Sequence, residues 1–108
     1  MAFVLKKSAS VTWPVVIKKG SDGGKFKEHK FNALFKEIGR ERFNELIDEG
    51  DEALTEEILL GWDGIKDEEG NSIEFNKENK KILLDDFTVM KSIIECYGQF
   101  ITGGVEKN

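Results

Sequence analysis

The chain has one cysteine, one histidine, one proline and no long apolar run. A single cysteine, Cys96, cannot form an intrachain disulfide, which excludes a disulfide-stapled domain and makes a reducing compartment the default. Its apolar neighbours indicate a small core side chain more than a reactive thiol. A membrane-spanning helix needs roughly 18 consecutive apolar residues, and no stretch approaches that length. We therefore expect no association with a membrane.

Export signals and excess positive charge are also missing. In the opening MAFVLKKSASVTW the lysines follow the apolar residues, whereas a signal peptide places them first, so export is not expected. The formal net charge is -5 and the pI is near 5.0, which disfavours binding to a phosphate backbone. These features predict a cytoplasmic protein that does not bind nucleic acid.

What the chain does contain is the composition of one small folded domain. Hydrophobic residues make up 39% and charged residues 34% of its 108 residues, which is typical of a soluble protein with a charged exterior. A chain of this length supports a single core. We expect one domain over residues 1–108, with short flexible ends at 1–8 and 104–108.

The first third of the chain is patterned as a β-hairpin. Residues alternate between two faces over Ser10–Lys19, which predicts a strand with one buried face: Val11, Trp13, Val15 and Ile17 alternate with Thr12, Pro14, Val16 and Lys18. Because proline has no N–H for the ladder, Pro14 predicts either that this strand lies at a sheet edge or that its nitrogen is directed to solvent. The run Gly20–Gly24 (GSDGG) predicts a turn, and Lys25–Phe35 predicts the returning strand. Phe26 is out of phase there, which suggests a bulge.

The rest of the chain has helical spacing. Helices are predicted over Arg40–Glu49, from Asp51 to a stop at Gly61, over Lys77–Leu84 with Ile82 and Leu83 inward, and in a final segment. Asp85 and Asp86 either end the third helix or cap the fourth. The inward stripe of the fourth helix is predicted to be Phe87, Met90, Ile94, Tyr97 and Ile101. The predicted fold class is α+β, with an N-terminal antiparallel hairpin over 10–35 packed on a C-terminal set of three to four helices.

An acidic turn is the first candidate for site chemistry. Its carboxylates, which could in principle ligate calcium, belong to Asp63, Asp67, Glu68, Glu69 and Glu74. The spacing does not match a calcium loop, because the position that requires glycine falls on Glu68 when counted from Asp63. Trp62, Ile65, Ile73 and Phe75 flank the turn as apolar anchors. We interpret it as a solvent-exposed turn that is anchored to the core, and we assign no metal site.

Catalytic and phosphate-binding arrangements are also not evident. His29 lies in a predicted strand without a nucleophile at a useful spacing, and its pairing with Ser92 or Cys96 would require the fold to bring them together. The segment Gly20–Gly24 lacks the Lys-Ser/Thr pair of a phosphate loop. We therefore predict that the protein is not an enzyme, and we assign no catalytic, cofactor-binding or metal-binding residue.

Two surface features leave alternatives open. Five lysines of the hairpin form either a solvated strand face or an electrostatic patch for a partner: Lys18, Lys19, Lys25, Lys27 and Lys30. The eight phenylalanines and the helical stripes indicate a domain core, yet in a chain this short they could also leave an apolar patch for a second copy or a client segment.

The order of several segments resembles the tail assembly chaperones of long-tailed bacteriophages. These segments are GSDGG, FNALFKEI, the acidic turn WDGIKDEEGNSIEF, the helix start NKEN and the helix end YGQFITGG, and they extend over most of the chain. The resemblance implies a small protein of the bacterial cytoplasm that binds the long, apolar tape-measure protein and keeps it soluble until tail-tube subunits assemble around it. It also implies self-association, a possible contact with the tail-tube protein, and absence from the finished virion.

Two other classes of protein fit the same composition. A small structural virion protein, such as a head-tail joining or tail-completion subunit, would also be acidic and without a cofactor. A host-directed regulator could use its negative charge to mimic nucleic acid, although the acidic residues here are scattered along the chain. Presence in purified particles would separate the virion protein from the chaperone.

Overall fold

In the computed structural model the fold is described for residues 9–103, and side chains for residues 10–103. The flexible ends predicted at 1–8 and 104–108 lie outside these residues. The described part combines an antiparallel sheet with four α-helices. The predicted α+β class is therefore confirmed.

The sheet begins with a long hairpin formed by β1 (Ala9–Ser21) and β2 (Lys25–Glu37). Their register is unbroken from Ala9 opposite Glu37 to Ser21 opposite Lys25, so the bulge predicted at Phe26 is wrong. The turn Asp22–Gly24 places Gly23 and Gly24 at φ of 78° and 74°. Side chains disfavour that backbone region, which is why glycines occupy it.

A third strand, β3 (Leu59–Asp63), was not predicted, and it replaces the expected helical segment up to Gly61. It pairs antiparallel with β2, giving the order β1-β2-β3. The sheet does contain an irregularity, but between Leu34 and Phe35, where they face β3. Since β1 lies at an edge, the position inferred from Pro14 is confirmed.

The helices are α1 (Arg40–Glu49), α2 (Asp51–Ile58), α3 (Lys77–Leu84) and α4 (Phe87–Ile101). Side chains cap two of them. The Asn76 Oδ1 accepts a hydrogen bond from the Asn79 N–H at 2.7 Å, and the Asp86 Oδ1 accepts from the N–H groups of Thr88 and Val89 at 3.0 and 3.2 Å. Asp85 is the C-cap residue of α3 and Asp86 caps α4, so both roles considered for this acidic pair are filled.

The core lies between one face of the sheet and the helices. Alternating residues of both strands supply its sheet side, namely Val15, Ile17, Phe31, Ala33 and Phe35. The Tyr97 ring meets Phe35 edge-on with centroids 5.1 Å apart. Its hydroxyl donates a hydrogen bond to the Lys36 carbonyl oxygen at 2.7 Å, which joins α4 to β2 from inside the core.

The buried faces of α3 and α4 differ in part from the predicted ones. Ile82 and Phe87, both expected inward, are each 65% exposed, and Ile101 is also exposed. Val89, Ile93 and Tyr97 form the buried stripe of α4, and Leu84 is the buried leucine of α3. α3 was predicted with its observed bounds, but the rotation of a helix about its axis depends on neighbouring elements. Within residues 9–103, no helix is both long and apolar enough to cross a bilayer.

Candidate functional site

A groove of about 760 Å³ lies between α4 and the sheet face that points away from the core. Its position follows from the contact of α4 with the edge strand β1, since one flank of the helix stays uncovered beside the hairpin. We call it the α4 groove. It is lined by Trp13, Pro14, Val16, Lys18, Glu28, Lys30, Phe87, Thr88, Lys91, Ser92, Glu95, Cys96 and Gln99.

Apolar side chains from two elements meet in this groove. Pro14 and Val16 come from the outer face of β1, and Phe87 comes from the first turn of α4. Trp13 is held by the core, where its ring lies 5.4 Å from that of Phe100, and it also borders the groove. The α4 groove thus offers an accessible apolar surface without opening the core.

The charges around the groove differ from those of the whole chain. Lys18, Lys30 and Lys91 face Glu28 and Glu95, so the lining carries a formal charge of +1 on a protein of net charge -5. The Lys91 Nζ lies 5.2 Å from the centroid of the Phe87 ring, which suits a cation-π contact. The arrangement can bind a partner that combines an apolar stripe with acidic flanks.

One ion pair fixes the hairpin against the start of α4, beside the groove. The Lys19 ammonium donates a hydrogen bond to the Asp86 carboxylate, which also caps the helix. That hydrogen bond is the largest of the effects that lower the pKa of Asp86, and the Val89 and Thr88 N–H groups act in the same direction. Of the five hairpin lysines, Lys19 is thus structural, whereas Lys18 and Lys30 line the groove.

The acidic turn is organised by its own backbone. The Asp67 Oδ1 accepts hydrogen bonds from the N–H groups of Glu69 and Asn71, each at 2.9 Å. Trp62 is partly buried, and its indole N–H donates to the Ile73 carbonyl oxygen at 2.8 Å. Among the described residues, no group of three or more His, Cys, Asp or Glu side chains is placed to hold a metal ion.

The histidine and the candidate nucleophiles line different surfaces. His29 is exposed on β2 and borders a cavity with Ile17 and Phe31. Ser92 and Cys96 line the α4 groove, and the Ser92 hydroxyl donates to the Thr88 carbonyl oxygen at 2.8 Å. The fold therefore does not assemble the pairing that sequence spacing left open.

Sequence patterning did not predict the α4 groove. Trp13 and Phe87 were assigned to buried stripes, while Pro14 and Val16 were identified only as the opposite face of a strand. The signal that existed was the excess of aromatic residues over what a small core holds, which raised the possibility of an apolar patch without locating it.

Comparison with known proteins identifies a family for this chain. The family described as "YdaY prophage protein" matches residues 27–99, from β2 through most of α4. Comparisons with curated proteins and with solved structures gave no match. The family match covers more than half of the chain, and it includes the β2 and α4 sides of the groove. This chain therefore belongs to the YdaY prophage protein family and is a phage-related protein.

Proposed function

We propose that this prophage protein is a tail assembly chaperone that binds apolar helical segments of a tape-measure protein. In this proposal it acts in the bacterial cytoplasm, catalyses no reaction and uses no cofactor. It keeps the client soluble until tail-tube subunits replace it, and the tail-tube protein is a second possible partner. The order of sequence segments described above and the prophage family both favour a role in phage assembly.

The observation that carries the proposal is the α4 groove. A tape-measure chain awaiting assembly displays apolar stripes that would otherwise associate with one another. Phe87, 65% exposed, together with Pro14 and Val16 offers such a stripe a place to bury its side chains. Burial of apolar surface contributes about 25 cal/mol per Å² to the binding free energy, and the conformational freedom lost on binding offsets part of that gain. A shallow groove therefore suits a modest affinity, which lets the growing tube displace the chaperone.

Charge also fits such a client. The groove lysines, Lys18, Lys30 and Lys91, would attract the acidic flanks of an amphipathic helix. The remainder of the chain is strongly acidic, so coated clients would repel one another. Local attraction and long-range repulsion together are what a solubilising partner requires.

The test is co-expression with the tape-measure protein encoded by the same prophage. We expect the client to become soluble and to co-purify with the native chain. The variant Phe87→Ser should bind the client at least about tenfold more weakly, because it removes an exposed apolar contact without opening the core. Binding is measured by titrating fluorescently labelled client peptides that cover its helical stretches.

Ile82→Ser is the matched control, because Ile82 is equally exposed and lies outside the α4 groove. It should bind the client as the native chain does. Equal weakening by both variants would mean that general surface hydrophobicity, and not the groove, causes binding. Recovery of this chain as a stoichiometric component of purified phage particles would contradict the chaperone proposal and support a structural virion protein.

A further inference from the structure

The two sides of β2 are paired to different extents. β1 pairs with β2 along its whole length, whereas β3 pairs only with residues 32–35. After β3 the chain passes Phe31 at Gly64, whose φ of 91° takes it out of the sheet. In the part of the chain that the structure describes, no strand pairs with residues 25–30 on the β3 side of β2. We call this side of residues 25–30 the open edge.

The open edge carries backbone hydrogen-bonding groups and has space beside it. In an antiparallel pair, every second residue directs its N–H and C=O away from the partner strand. Every residue from Lys25 to Lys30 is exposed. A cavity of about 440 Å³ adjoins the edge where β3 ends, and Ile65 and Leu83 contribute to its apolar surface. An extended segment therefore has room to lie beside β2 in line with β3.

Side chains of the open edge divide between the two faces of the sheet. Alternation along the unbroken register places its odd-numbered residues on the same face as Phe31, which is buried against the helices. These residues are Lys25, Lys27 and His29. The even-numbered residues, on the opposite face, are Phe26, Glu28 and Lys30. The helix-side face of the edge thus contains two lysines and no carboxylate.

The opposite face of the edge carries an uncovered aromatic ring. Phe26 is 73% exposed, and its partner on β1 is Gly20, which has no side chain to cover it. A strand added at the open edge would place a side chain beside this ring on its other flank. Aromatic rings paired with β-branched side chains across strands stabilise a sheet. An apolar residue is therefore favoured at that position.

Charge decides what kind of strand fits. Opposite charges that face each other across strands stabilise a sheet, and like charges destabilise it. Lys25 and Lys27 therefore favour acidic side chains on the helix side of an added strand. A second copy of β2 does not fit, because its edge has the same excess of lysine, and lysines on an edge strand discourage such self-pairing.

We propose that the open edge binds an extended segment of a partner protein, in which acidic and apolar residues alternate, as an added strand. Main-chain hydrogen bonds supply affinity in this mode of binding, and the side chains on the two faces supply specificity. Glu28 and Lys30 also border the α4 groove, but that groove extends along β1, at the other edge of the sheet. The added strand does not depend on the client proposed above.

The first experiment titrates the native chain into a fluorescein-labelled hexapeptide in which glutamate and valine alternate. Both ends are blocked, and binding is followed by fluorescence anisotropy at about 0.05 M salt, where charges are weakly screened. We expect saturable binding with a Kd below about 1 mM. A peptide with three glutamates followed by three valines has the same composition and should bind at least about tenfold more weakly. No binding of the alternating peptide, or equal binding of both, would overturn the proposal.

The second experiment reverses the charge of the edge with the double variant Lys25→Glu and Lys27→Glu. Both side chains are exposed, and neither forms an ion pair within residues 9–103, so the fold should persist. The variant should bind the alternating glutamate peptide at least about tenfold more weakly. It should also bind an alternating lysine–valine peptide that the native chain does not bind. Failure to exchange the two peptides would contradict the assigned surface.

The matched control is Lys77→Glu with Lys81→Glu, which changes the net charge equally at two exposed lysines of α3. It should bind the glutamate peptide as the native chain does. Equal weakening by the two double variants would show that net charge, and not the open edge, causes binding. Circular dichroism and thermal melting verify that both variants are folded.

Backbone pairing is tested with the native chain and two methylated forms of the glutamate peptide. One form carries methyl groups on the valine nitrogens and the other on the glutamate nitrogens. Only one of these sets faces β2 in an added strand. One form should therefore lose binding, and the other should bind as the unmethylated peptide does. Equal binding of both forms would show that side-chain charge alone holds the peptide, which would overturn strand addition.

Two further measurements identify the occupant and the surface. Sedimentation velocity of the native chain tests for a second copy: association that the glutamate peptide reverses would show that another copy occupies the open edge, and would overturn the proposal. Phe87→Ser alters the α4 groove and should bind the glutamate peptide as the native chain does. Loss of peptide binding in Phe87→Ser would place the peptide in that groove. If client binding fails while the peptide still binds, the chaperone proposal fails alone.

Discussion

Single polar side chains join the hairpin and the helices at a few defined points. Asp86 caps α4 and binds Lys19 of β1, so one carboxylate serves both a helix start and a tertiary contact. Arg42 joins α1 to α2, since its Nε donates a hydrogen bond to the Glu57 Oε2 at 2.8 Å. That hydrogen bond is the main cause of the lowered pKa of Glu57. The ion-pair part of this stabilisation lasts only while the carboxylate is ionised.

Asp86 gives a prediction that separates its two roles. Asp86→Asn keeps an acceptor for the helix N–H groups but loses the charge, whereas Asp86→Ala loses both. We expect Asp86→Ala to lower the free energy of unfolding by about 1 to 2 kcal/mol near neutral pH, and Asp86→Asn to lower it less.

The pH dependence of that difference follows from the sign of the pKa shift. The folded state lowers the pKa of Asp86 below its usual 3.8, so its stabilisation is complete above that value and is lost as the pH falls through the folded pKa. The gap between the native chain and Asp86→Asn should therefore shrink as the pH falls below about 4 in urea unfolding. A gap that stays constant would mean that the charge contributes nothing.

The local sequence pattern predicted most of the strands and helices, but not the features that depend on how they pack. The period of two over β1 and the helical spacing with Asn76 and Asp86 as caps predicted the hairpin and the four helices, although the second helix was predicted to continue into what is β3. β3 follows α2 directly and has only five residues, and the register shift opposite Leu34 and Phe35 obscures its alternation. The α4 groove could not be predicted, because it arises only when α4 packs beside β1.

The acidic turn between β3 and α3 depends on one side chain, that of Trp62, for its attachment to the core. The Trp62 ring meets Phe75 with centroids 4.8 Å apart, and its N–H binds the Ile73 carbonyl oxygen. We expect Trp62→Phe to cost about 1 kcal/mol, because it keeps most of the ring contact and leaves that carbonyl without its donor. Trp62→Ala should cost about 3 kcal/mol, because it removes both.

Chemical unfolding monitored by circular dichroism measures both costs. Glu68→Gln, in the exposed part of the acidic turn, is the control and should change the free energy of unfolding by less than about 0.5 kcal/mol. Equal and small losses of unfolding free energy in the two Trp62 variants would show that the acidic turn is detached from the core.

For the molecule as a whole, the packed and the projecting parts lie at different ends of the same strands. From Lys18 to Lys30 no residue is buried, whereas Phe31, Ala33 and Phe35 are all in the core. Past the Lys19–Asp86 ion pair, the hairpin therefore extends beyond its supporting helices as an arm, residues 20–27. Its far end carries exposed lysines, and α1 and α2 are predominantly acidic, so the chain is also electrically asymmetric.

Hydrogen exchange should detect this division. We expect amides of β2 at residues 31–35 to exchange at least about a hundredfold more slowly than strand amides at residues 25–27, because opening the arm exposes no core. Mass spectrometry of overlapping peptides resolves the two segments. Uniform protection along β2 would contradict the picture of an arm.

The position of Cys96 has a practical consequence. It is the chain's sole sulfhydryl, and it sits partly buried in the wall of the α4 groove, between a core it packs against and the space that a client would enter. A thiol-directed dye attached there would report occupancy of that space without any engineered residue. The native polypeptide thus supplies a labelling position at the surface where its proposed work takes place.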